Sequence, residues 1–189
     1  MADPQVQPGE VPLVERARAG DRAAFAELVR LHQDEVFTLA LRLVADRELA
    51  ADVTQDALVR AWRAMPRFRG DAKFSTWLYR ITVNTAWTAL RRDRRHRNEP
   101  LDALGEEPVS AGLGPEQAGI AADASVRLRA ALVELSEPLR TVVVLKDVYD
   151  WSHPEIATHL DITVTAAKVR LHRGRKQLRE ILQHEVGDR

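Results

Sequence analysis

Cysteine is absent from the 189 residues, and aromatic side chains make up only 5% of them. The first absence removes thiolate zinc sites, disulfide scaffolds, iron–sulfur clusters and cysteine nucleophiles together. The second, beside an abundance of Ala, Leu, Val, Arg and Glu, favours helices over a β-sandwich or barrel. No apolar run approaches the about 18 residues of a membrane span, and the first ten residues, MADPQVQPGE, lack the apolar core of a secretory signal. A cytoplasmic protein without membrane insertion is therefore expected. Catalytic apparatus is missing as well. His32, His96, His153, His159, His172 and His184 never form an H-E-x-x-H pair, there is no G-x-S-x-G, and Gly112 and Gly114 stand in no strand–turn–helix context. The expectation is a protein that is not an enzyme, with no catalytic residue, no metal and no cofactor.

Net charge is the last absence, with 28 basic side chains against 28 acidic ones. That balance conceals a strong segregation. Residues 1–66 carry 8 basic and 11 acidic groups, whereas 67–97 carry 9 basic and 2 acidic ones. Residues 98–123 then hold 6 acidic groups and no basic one, and 162–179 hold 6 basic groups and no acidic one. Two basic blocks divided by an acidic one read either as solvated helix faces or as contacts for a polyanion.

The acidic stretch NEPLDALGEEPVSAGLGPEQAGIAAD has three prolines, four glycines and no apolar period, which is how a flexible linker reads. It separates two modules. In the first, Asp21 can cap a long amphipathic helix carrying Phe25, Leu28, Val29, His32, Val36, Ala40, Leu43 and Val44 on one stripe. Asp46 can cap the next, where Ala50, Val53, Ala57, Leu58, Ala61, Trp62 and Met65 recur at helical spacing. On its opposite face Asp52 and Asp56 lie four residues apart, with Gln55 between and Arg60 one turn on. Such a like-charge pair costs an isolated helix roughly 0.2–0.5 kcal/mol, so this is either an ordinary solvated face or a docking surface for a basic partner.

After Pro66 the loop RFRGDAKFSTW interleaves Arg67, Arg69 and Lys73 with Phe68 and Phe74, and Ser75 or Thr76 can cap the helix that follows. Cations that track phosphates among rings that stack on bases suit single-stranded nucleic acid. Trp77, Tyr79, Arg80, Asn84 and Trp87 continue the pattern; the alternative for each ring is a place in the core, which Leu78, Ile81, Thr85 and Ala89 are also expected to face.

The second module holds a helix from Val126 to Leu135, another begun by Ser136 and Pro138, and then two in close succession. Ser152 and Glu155 form a capping box with Pro154 in the first turn. The turn falls at Asp161 and Ile162, and Thr163 caps the last helix. Ile156, Ala157, Leu160, Ile162, Ala167, Leu171 and Leu178 supply the small and apolar positions of a helix-turn-helix. Outward on the last helix lie Thr165, Lys168, Val169, His172, Arg175, Lys176 and Arg179, a cationic face suited to the major groove of DNA. Gly174, inside that helix, should cost about 1 kcal/mol relative to Ala and so marks a close helix–helix approach.

DVTQDALVRAW, then RFRGDAKFSTWLYRITVNTAWTALRR, then the acidic linker and LSEPLRTVVVLKDVYDWSHPEIATHLDITVTAAKVRLHRGRKQLREIL resemble an extracytoplasmic-function sigma factor of the sigma-70 family. The resemblance runs in the family's order over roughly residues 21–183. It implies an all-α protein of two small helical domains: region 2 over 21–97 and region 4 over 125–183. A flexible acidic linker over 98–124 would join them, with an N-terminal tail and short helix over 1–20 and a C-terminal tail over 184–189. It further implies that Asp52, Gln55, Asp56 and Arg60 dock on bacterial core RNA polymerase. Arg67, Phe68, Arg69, Lys73, Phe74, Ser75, Trp77, Arg80 and Asn84 would contact the single-stranded −10 promoter element. Ser152, His153, Thr165, Lys168, Val169, His172, Arg173, Arg175 and Lys176 would contact the duplex −35 element. An anti-sigma factor is the family's usual control. The turn departs from the pattern, with Asp161 where Gly is common, as do Ala166, Ala167 and Val169 on the reading helix. The competing reading is a stand-alone helix-turn-helix regulator that binds duplex DNA without polymerase.

Overall fold

A computed structural model describes residues 10–96 and 120–187, with side chains over 10–93 and 126–184. Most of the expected acidic linker lies outside the described residues. The fold is helical, with no strand among the described residues, and divides into two compact units between Asp93 and Arg94.

The first unit holds α1 (Val11–Arg18), α2 (Arg22–Val44), α3 (Arg47–Ala64), a 3₁₀ turn (Met65–Arg67) and α4 (Phe74–His96). Caps fix the helix starts. Asp21 accepts from the N–H groups of Ala23 and Ala24, and Asp46 from that of Leu49 at 2.7 Å, each satisfying donors that a helix start leaves orphaned. The Ala24 N–H, with Arg16 beside it, holds the Asp21 carboxyl below its usual range. The expected stripes meet in the core, where Ala17, Ala24, Leu28, Val36, Ala61, Met65 and Leu78 are almost wholly enclosed. His32 is enclosed too, its Nε2 3.0 Å from the Glu10 carboxylate. At the start of α4 the structure corrects the expectation. Trp77 N–H donates to the Lys73 carbonyl at 3.0 Å, so the helix begins at Phe74, and Ser75 and Thr76 lie within its first turn. Its buried set also differs, comprising Phe74, Leu78, Thr82, Val83, Thr85, Ala86 and Leu90, with Ile81 and Ala89 only half-buried.

The second unit holds α5 (Ile120–Glu134), α6 (Glu137–Val143), a π-helical segment (Val144–Val148), α7 (His153–Leu160) and α8 (Val164–Gly187). Here α5 starts within the stretch expected to be linker, at Ile-Ala-Ala-Asp-Ala, whose alanines are strong helix formers immediately after Gly119. Likewise α8 continues to Gly187, so residues expected to form a tail prolong its last turn. The capping box is present: Ser152 Oγ accepts from Glu155 N–H at 3.3 Å, and the Glu155 carboxylate accepts from Ser152 N–H at 2.9 Å. Asp161 closes α7 in the left-handed region, φ 53°, which Asp tolerates better than most residues. Thr163 Oγ1 then accepts from Ala166 N–H at 3.0 Å. Gly174 is where α8 meets α6: a Cβ there would lie 2.7 Å from Val143 Cγ2 and 3.3 Å from the Leu139 carbonyl oxygen. The close approach read from the sequence thus has a named neighbour. Arg140, also buried, donates to the carbonyls of Val133 and Leu135 and ties the end of α5 to α6.

Candidate functional site

Three exposed regions carry the sequence-derived site residues, two on the first unit and one on the second. On α3, Val53 and Ala57 turn into the core, and the helical period leaves Asp52, Gln55, Asp56 and Arg60 outside, all exposed. Arg60 Nη2 stands 3.5 Å from the Asp56 carboxylate, a solvent-screened pair of small worth. Between α3 and α4 lies a groove of about 380 Å³ lined by Asp52, Gln55 and Asp56, with Val59 on the same helix and Thr85 and Arg92 across it. Sequence reasoning missed those last three. Val59, 42% exposed, is an apolar residue off the buried stripe, and that misplacement was the available signal. Thr85 and Arg92 become neighbours of α3 only through tertiary packing.

The second region is the loop between the 3₁₀ turn and α4. Arg67 and Arg69 are exposed and Lys73 half-exposed, around a Gly70 whose φ of 80° belongs to the left-handed region that glycine enters without strain. Trp77, Arg80 and Asn84 follow at spacings of three and four on α4, with Asn84 exposed and Ser75, Trp77 and Arg80 partly so. The two phenylalanines sit differently from the cations. Phe68 and Phe74, which the resemblance implies to be base contacts, are 6% and 2% exposed. The Phe74 ring lies 5.4 Å from that of His32, 6.2 Å from Phe68 and 5.7 Å from Trp77. Burial of so large an apolar surface anchors the loop to the unit. Tyr79 is also engaged, its hydroxyl donating to Glu35 on α2.

The third region is the outer face of α8. Ala167, Leu171 and Gly174 are buried, whereas Thr165, Lys168, Val169, His172, Arg173, Arg175 and Lys176 are all exposed, with Arg179 further along. The cationic face and the packing stripe are thus cleanly divided around one helix. Two predicted contacts have other commitments. The Ser152 hydroxyl donates to Glu155 within the capping box at 2.7 Å, and His153 next to it is half-buried. Arg175 makes a two-point bond to Asp147 of the π-helical segment, Nε to Oδ2 at 2.9 Å and Nη2 to Oδ1 at 2.5 Å. That bond holds the guanidinium yet further toward its charged form. No group of acidic, His or Cys side chains among the described residues is arranged to hold a metal ion. No helix there is long and apolar enough to cross a membrane.

Known proteins share this pattern. The family model for Sigma-70 region 2 matches residues 28–96, and that for Sigma-70 region 4 matches residues 125–178. The chain is 32% identical over 177 residues to the ECF RNA polymerase sigma factor SigW of Bacillus subtilis, spanning 90% of this chain and 95% of the relative. It is 35% identical over 178 residues to the RNA polymerase sigma-H factor of Pseudomonas aeruginosa, spanning 90% and 92%. Among solved structures, CnrH in complex with the cytosolic domain of CnrY aligns with a TM-score of 0.56 and 28% identity over 91% of this chain and 96% of that one. The sigma factor RpoE, solved with the anti-sigma factor NepR from Bartonella quintana, shares the fold at a TM-score of 0.63 and 24% identity, covering 84% and 96%. With both regions matched in order and relatives alike over nearly their full length, the chain belongs to the sigma-70 family, as an extracytoplasmic-function sigma factor.

Proposed function

We propose that the chain joins bacterial core RNA polymerase through the α3–α4 groove, grips the duplex −35 element with α8, and opens the −10 element with the cationic loop and the outer face of α4. It confers promoter choice and performs no bond chemistry of its own. The observation that carries this reading is the opposite electrostatic character of exposed faces on one chain. Asp52 and Asp56 border a groove on the first unit, while Lys168, His172 and Lys176 stand on the exposed face of a helix of the second. A carboxylate-bordered groove repels DNA and receives a basic protein surface; a cationic helix face does the reverse. Residues 21–97 and 125–183 are the working boundaries of the two functional domains. RpoE is bound by an anti-sigma factor in its complex; control of this chain by such a partner, competing with polymerase for the same faces, and action in the cytoplasm both follow from the reading.

Transcription by purified core polymerase, with and without the chain, on a pooled library of upstream regions tests it. Initiation at a discrete set of start sites is expected. Failure to bind core together with tight duplex binding would transfer the case to a stand-alone regulator.

A further inference from the structure

The Asp147–Arg175 contact differs from two other surface pairs of the second unit. Lys176 and Glu180 lie 3.8 Å apart on one helix, and Lys146 and Asp150 sit four residues apart. Asp147 and Arg175 join two elements, the π-helical segment and α8, through two short parallel bonds. Such fork-to-carboxylate bonds fix orientation as well as charge. A guanidinium has five N–H donors, and Asp147 occupies two, leaving both on Nη1 and one on Nη2. Arg175 itself remains half exposed, seven residues beyond Lys168 and three beyond His172, on the same flank of α8.

We propose that Asp147 is a positioning residue for promoter binding: it locks Arg175 so that the free edge of the guanidinium is preset for a DNA phosphate. The inference rests on the reading of α8 as the −35 helix. Its consequence runs against simple charge arithmetic. Removing a carboxylate from beside a DNA-binding face should tighten binding by reducing repulsion. Removing a carboxylate that presets an arginine should weaken it, because the side chain must then be ordered on binding.

The test uses holoenzyme assembled from core polymerase and the full chain. Its probe is the promoter fragment that supports the strongest wild-type initiation, titrated over a range of NaCl concentrations. Asp147→Ala and Arg175→Ala are each expected to weaken binding by about tenfold, the scale of one lost hydrogen bond to a charged group. The double variant should be no weaker than Arg175→Ala. In Arg175→Ala the slope of log K against log salt should fall by about 0.9, one phosphate contact. Should Asp147→Ala fail to fold, Arg175→Lys keeps the charge, loses the fork, and carries the same expectation. Tighter or unchanged binding by Asp147→Ala, or by Arg175→Lys in its place, while Lys168→Ala weakens binding, would overturn this inference alone. If neither Lys168→Ala nor Arg175→Ala changes binding, the reading of α8 fails, and the role of Asp147 fails with it.

Discussion

The loop from Arg67 to Lys73 and the face of α8 carry the same kind of sequence signal, basic residues next to apolar ones, and the fold resolves them differently. On α8 the helical period separates the two kinds: every third or fourth residue goes inward, and the cations between stay outside. In the loop no period operates. There the cations Arg67 and Arg69 are exposed while Phe68 between them is enclosed with Phe74 and Trp77. Charge therefore reports exposure in both regions, whereas an aromatic ring reports nothing until its neighbours are known. Cations and rings that adjoin in sequence can serve opposite purposes, the ring holding the loop down and the cations reaching out.

The largest test of that contrast is Phe74→Ala. A ring 2% exposed in the core of the first unit should cost about 3–5 kcal/mol in chemical unfolding. Near-wild-type stability with a selective loss of single-strand binding would break the contrast. Next comes Gly174→Ala, where a new Cβ must displace Val143, stiff at χ1, and crowd the Leu139 carbonyl oxygen. Overpacking of about 1–3 kcal/mol, less about 1 kcal/mol of helix propensity regained, should leave the second unit destabilised by up to about 2 kcal/mol. Restoration of stability by adding Val143→Ala would locate the cause. Ser152→Ala should cost about 1 kcal/mol through loss of the α7 cap, read as a lower unfolding midpoint, whether or not DNA is present. The smallest effect on stability is expected for Lys168→Ala, within about 0.5 kcal/mol. Its signature is a salt slope of −35 duplex binding reduced by about 0.9. An unchanged slope would count against α8 as the face that meets DNA.

Much of this architecture was legible in advance because it is local. Asp21, Asp46, Ser152 with Glu155, and Thr163 act on N–H groups within three residues, so their caps could be read from spacing alone. Gly174 was legible for a related reason, since a glycine that weakens a helix implies a neighbour that needs the room. What escaped was non-local. The contacts of Arg175 with Asp147, of Tyr79 with Glu35 and of Phe74 with His32 join residues far apart in the chain, and no periodicity encodes them. Thr85 and Arg92 entered the α3 groove by the same route. Of the candidate site residues, the exposure of the charged ones and the Ser152 cap were readable from pattern, whereas the Arg175 clasp and the enclosed rings were not.

The central claim is that two cationic regions of one chain meet different DNA, and site-specific photocrosslinking within the initiation complex tests it most directly. A crosslinker placed at position 69 in the loop and another at 168 on α8 should attach to separate promoter segments: 69 to the opened strand near the start site, and 168 to duplex DNA upstream. Attachment of both to the same segment, or capture of no DNA from 168 in a complex that initiates normally, would contradict the account.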